Sequence, residues 1–99
     1  MIERLSAEDF EPFKGQPLDL ELPSGERLPL TLAEISPLSE ATRASQHRAP
    51  FRLILVDPGF RVAPQRTYPL HHPTQGPIEL FIVPIGPDPT GMRYEVIFT

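Results

Sequence analysis

The 99-residue chain contains no cysteine, so a disulfide framework and a thiolate site are both excluded and the fold stands without covalent staples. No run approaches the ~18 apolar residues of a membrane span. Residues 1–10, MIERLSAEDF, alternate charges where a signal peptide needs an apolar stretch. A soluble, unprocessed protein of the cytoplasm is expected, with no membrane partner. A basic excess is lacking as well: the formal net charge is −4, whereas nucleic-acid binding draws on surplus Lys and Arg, so no nucleic-acid partner is expected. The six glycines all flank turns and none builds a phosphate loop. No serine stands in a Gly-x-Ser-x-Gly elbow, so a hydrolase triad lacks its first element.

What the chain has in excess is proline, 14 of 99 residues, against an average near 5%. Proline removes a backbone donor and fixes φ, so these residues belong at turns, strand starts and edges, and they cut the chain into short strands. Disorder does not follow, because 39% of the residues are apolar and fall in periodic runs. At this length one domain spanning 1–99 with a modest core is expected. A barrel of this size has room inside for side chains but hardly for a deep active site.

Along the chain, Ser6 can cap a helical turn, with Glu8 and Asp9 following and Leu5 and Phe10 placed as a hydrophobic staple. Pro12 stops that turn early, leaving Phe10 and Phe13 to plug one end of the core. Leu18, Leu20 and Leu22, then Leu28, Leu30 and Leu32, alternate with polar residues around the turn at 23–26, which is a hairpin with one apolar face. Pro29 within it marks an edge or a bulge. Residues 36–50 break the period and read as a long mobile connection. Residues 51–56, FRLILV, are nearly all apolar, as a strand covered on both faces would be. Shorter runs at 66–71, 78–85 and 92–98 complete six antiparallel strands. The expected class is all-β: a small antiparallel six-stranded barrel or sandwich with a short N-terminal helical turn.

Charge is unevenly placed. Residues 1–40 are net −6, residues 41–66 are net +4 and the remainder is −2. The five arginines of the middle segment, Arg43, Arg48, Arg52, Arg61 and Arg66, are the candidate partner contacts, since arginine is favoured at interfaces. Adjacent His71 and His72 leave an extended chain on opposite faces and do not share a metal, so no metal or cofactor is expected. One of the pair can turn inward near Tyr68 and satisfy a hydrogen bond. Asp57, Glu79 and Glu95 are expected to point outward. Tyr68, Phe81, Tyr94 and Phe98 form an aromatic stripe of the kind that pairs across strands in a core.

The segments Phe13-x-Gly15-Gln16, Pro50-Phe51-x-Leu53, Gln65-x-Thr67-Tyr68-x-Leu70-x-His72, Leu80-Phe81-x-Val83-Pro84-x-Gly86 and Tyr94-Glu95-x-x-Phe98 together resemble a family of small bacterial β-rich proteins that is a domain of unknown function. The resemblance implies a compact β module and carries over no catalytic residue.

Two functional readings follow. The first is a noncatalytic protein-interaction or assembly module that contacts a protein partner or a second copy through edge strands and the arginine-rich middle segment. The second is a small-ligand or carbohydrate-binding barrel, or a minimal enzyme, with a mouth lined by Tyr68, His72 and Tyr94. The first is favoured.

Overall fold

A computed structural model of the protein describes residues 5–38 and 49–99. Two single 3-10 turns, Ala7–Asp9 and Glu11–Phe13, precede six strands: β1 (Pro17–Glu21), β2 (Arg27–Pro37), β3 (Phe51–Asp57), β4 (Arg66–His72), β5 (Gly76–Asp88) and β6 (Gly91–Phe98). All are antiparallel and close in the order β1-β2-β3-β6-β5-β4. The sequence had left barrel and sandwich open, and the structure is a barrel. Among the described residues no helix is long and apolar enough to cross a membrane.

Period two decides the inside. Leu18, Leu20, Leu28, Leu30, Leu32, Leu53, Leu55, Leu70, Leu80, Ile82 and Val96 all point into one buried cluster. Full burial of each such side chain is worth about 2 kcal/mol in transfer from water. In β2 the period breaks where an extra residue falls between Leu32, opposite Leu55, and Glu34, opposite Ile54. That bulge explains why Ala33 and Glu34 are both exposed while Ile35, partly buried, again packs against the core. Pro29 faces Asp19 of β1, but the ladder to β3 begins only at Thr31, so its missing N–H costs nothing on the open side. The outer face of β3 is covered at two points: Ile54 and Val56 are 4% and 6% exposed. Ile54 lies in register between Glu34 and Glu95, and Arg52 ties those two carboxylates together at 3.6 and 3.0 Å.

Closure is achieved at a narrow seam. β1 and β4 share only Asp19 with His71 and Leu20 with Leu70, supported by His71 Nε2 at 2.9 Å from Glu21 Oε1. The first half of β5 pairs with β4 as far as Ile82, and the second half pairs with β6 from Val83 onward. Closure gives every strand a neighbour on each side, so unpaired backbone is confined to short stretches such as residues 27–30 of β2, where the ladder to β3 has not begun.

Both ends are covered. At the lower end Phe10 is fully buried and its ring lies 5.1 Å from His72, 5.6 Å from Phe98 and 6.2 Å from Phe51. Ser6 N–H donates to Asp9 Oδ2 at 2.8 Å, which tightens the turn that delivers this plug. The connection expected over 36–50 begins later than its sequence suggests. Ser36 and Pro37 belong to β2, and Leu38 N–H donates to Pro50 O at 2.9 Å, while 39–48 lie outside the described residues. At the upper end residues 58–65 join β3 to β4, which stand on opposite sides of the barrel, so this loop has to cross the mouth.

Candidate functional site

The crossing loop begins at Asp57. Expected to face outward, this carboxylate is fully buried, because it is the anchor of the turn that follows. Oδ1 accepts the Gly59 N–H at 2.8 Å and Oδ2 the Arg61 N–H at 3.0 Å. The Arg61 guanidinium adds Nε at 3.0 Å and Nη2 at 3.3 Å. Burial pushes the carboxyl up, but the Arg61 side chain and the two backbone N–H groups outweigh burial and hold it below its ordinary 3.8. Phe60 N–H donates to Asp57 O at 3.0 Å, and Phe60 sits at φ 60°. A bulky residue in the left-handed region costs of order 1–3 kcal/mol and persists only where its surroundings impose it.

Two tyrosines from inside the barrel complete the anchoring. The Tyr94 hydroxyl donates to Arg61 O at 2.8 Å and accepts from Ala63 N–H at 2.8 Å, and the Tyr68 hydroxyl donates to Pro64 O. Burial pushes both phenols above their ordinary 10.0 and keeps them as neutral donors. Ala63 is drawn into the core, whereas Phe60 and Val62 remain 51% and 67% exposed. The loop is thus held from beneath by three buried polar side chains and presents two apolar ones to solvent. Removing the hydroxyl in Tyr94→Phe strands the buried Ala63 N–H and is expected to cost about 2 kcal/mol. Urea unfolding measures that loss, and faster amide exchange at Arg61 and Ala63 shows that it is the loop that loosens.

The residues singled out in the sequence do not assemble into one place. Tyr68 and Tyr94 lie at the upper end. His72 lies at the lower end, 3% exposed, with Nε2 at 2.6 Å from Asp9 O and Nδ1 accepting from Thr74 and Gln75 N–H at 3.2 and 3.1 Å. It turns inward as one histidine of the pair was expected to, but its ring stands edge-on to Phe10 and Phe13 rather than near Tyr68, four residues or about 13 Å of strand away. Phe81 leaves the aromatic stripe for the outer surface, 53% exposed. Among the arginines, Arg43 and Arg48 lie outside the described residues. Arg52 is engaged with Glu34 and Glu95 near the start of β3, about 17 Å of strand from Asp57. Arg61 lies within the loop and Arg66 directly follows it, 5.9 Å from the centre of the Tyr68 ring.

Phe60 and Val62 were missed because they fall between the strand runs 51–56 and 66–71, in a stretch with no alternation of its own. Their signal was faint: two large apolar residues among Pro, Gly and Arg, with no alternating partners to hide them. Among the described residues, no group of three or more His, Asp and Glu side chains is arranged to hold a metal.

No curated protein and no solved structure matches this chain. Residues 5–98 match the family model described as a domain of unknown function, DUF6916, a span that takes in the six strands, the plug at the lower end and the loop at the upper. In keeping with the resemblance of its short motifs, the chain belongs to the DUF6916 family.

Proposed function

We propose that this protein is a noncatalytic protein-interaction module that meets its partner with the upper end of its barrel. The observation that carries this reading is the exposure of Phe60 and Val62 on a backbone fixed by Asp57, Tyr94 and Tyr68. A surface ordered in advance does not lose loop entropy on binding, so more of the apolar contact energy appears as affinity. Arg61, 56% exposed at its side chain while pairing with Asp57, adds a cation of the kind favoured in contact surfaces. A ligand mouth has less support, because the hydroxyls of Tyr68 and Tyr94 are engaged with the loop and His72 lies at the other end. Asp57 and His72, the buried titratable groups best placed for chemistry, both hold backbone.

The test compares the wild type with the double variant Phe60→Asn, Val62→Ser, asparagine being chosen because it tolerates the left-handed backbone. In a crosslinking pull-down from the native cell, the variant is expected to recover at least tenfold less of the wild type's partner, with its melting temperature within a few degrees. Equal recovery by both proteins would rule the loop out as the contact.

A further inference from the structure

We infer that the partner is a second copy of this chain, joined head to tail, with the 58–65 loop of one copy seated at the lower end of the next; this rests on reading the loop as a contact surface. The lower end offers a groove of about 410 Å³ whose walls include Ala7, Ile35, Pro37 and Phe51, with Glu8 and Glu11 beside them. That volume falls within the range of sites that enclose small organic groups, and a phenyl ring with a neighbouring isopropyl group is such a load.

Charge selects the same pairing. Residues 58–66 carry no acid and two arginines, Arg61, which shares its charge with the buried Asp57, and Arg66, whereas residues 8–11 carry Glu8, Asp9 and Glu11 and no base. Both glutamates are exposed, and among the described residues neither forms an ion pair. Beside the loop, Glu26 lines a smaller groove together with Arg27 and Arg61. A protruding cationic apolar tip and an anionic apolar groove on one chain are complementary to each other and not to themselves. Because the two surfaces occupy opposite ends of the barrel, engaging one leaves the other to meet a further copy. The contact is therefore heterologous and propagates into a ring or an open filament instead of stopping at a two-fold dimer.

Sedimentation velocity from low micromolar to near-millimolar protein tests the inference with three chains: wild type, the head variant Phe60→Asn with Val62→Ser, and a tail variant Glu8→Arg with Glu11→Arg. Wild-type mass is expected to grow with concentration beyond two copies and to fall back in high salt. Each variant alone is expected to remain monomeric. Their equimolar mixture is expected to stop at a one-to-one heterodimer, at least tenfold tighter than either variant's self-association, since only one intact head and one intact tail remain. A wild type that is monomeric throughout, or a dimer that the tail variant leaves intact, overturns the head-to-tail pairing. If the wild type is monomeric yet still captures a foreign protein through Phe60 and Val62, self-pairing falls while the interaction-module reading stands; if that capture is absent too, both fall.

Discussion

Gly91→Ala is expected to lower the unfolding free energy by about 3 to 4 kcal/mol, combining backbone strain with overpacking. For a domain of this size that is a fall in melting temperature of roughly 12 to 30 °C. Gly91 opens β6 at φ 148°, and a methyl group there would lie 2.3 Å from Asp57 O and 2.9 Å from Pro58 Cα. These are backbone atoms, so nothing flexible can yield, and the displacement is delivered to the root of the crossing loop. The informative control is Gly25→Ala. Gly25 also has positive φ, at 89°, but open space around it, so alanine there bears only the conformational cost of about 1 kcal/mol. Urea unfolding of both variants separates crowding from strain, and similar losses at the two positions would contradict the close approach of β6 to Asp57.

Asp57→Ala comes next, with an expected loss of about 3 kcal/mol at neutral pH, because a buried carboxylate that accepts from two backbone N–H groups and a guanidinium leaves them all without their acceptor. Its effect has a definite pH dependence. The folded carboxyl titrates below its ordinary 3.8, so the unfolded chain takes up the proton first as pH falls. The stabilisation is therefore complete above about pH 3.8 and is lost as pH drops through the lower folded value. Denaturant unfolding in steps from neutral to strongly acidic solution should show wild type and variant separated by a constant gap that closes only in acid. A gap that closes near neutrality would mean that the carboxylate is not held in this way. Loss of Asp57 also frees Phe60 from its left-handed conformation, so the variant should bind more weakly than its stability alone accounts for.

Much of the fold was legible in local pattern. Leu18, Leu20, Leu28, Leu30 and Leu32 alternate so regularly that only a ribbon with one buried side accommodates them. The early Pro12 limited the N-terminal helix to short turns and left Phe10 as a plug. What could not be read locally was how the ribbon closes. Whether β1 meets β4 depends on two residue pairs about fifty positions apart in sequence, together with accumulated twist and bulges at 33 and 85. The site was less visible than the fold for the same reason. Asp57 looked like an ordinary residue at the end of a strand, and its burial follows from the loop folding back over it and from Gly91 allowing β6 to pass close by. Tyr68 and Tyr94 were recognised as core aromatics, but the direction of their hydroxyls depends on a loop that crosses the barrel.

The amino-acid sequence by itself determined the strand class, the number of strands, the apolar face of each and the absence of thiol and disulfide chemistry, since these follow from composition and from periods of two residues. Tertiary structure alone decided that the sheet closes, that Tyr68 and Tyr94 stand apart from His72, and that Phe60 and Val62 remain in solvent. The physical reason is that alternation specifies which side of a ribbon avoids water, whereas closure, loop crossing and buried hydrogen bonds depend on contacts between segments that no local pattern brings together.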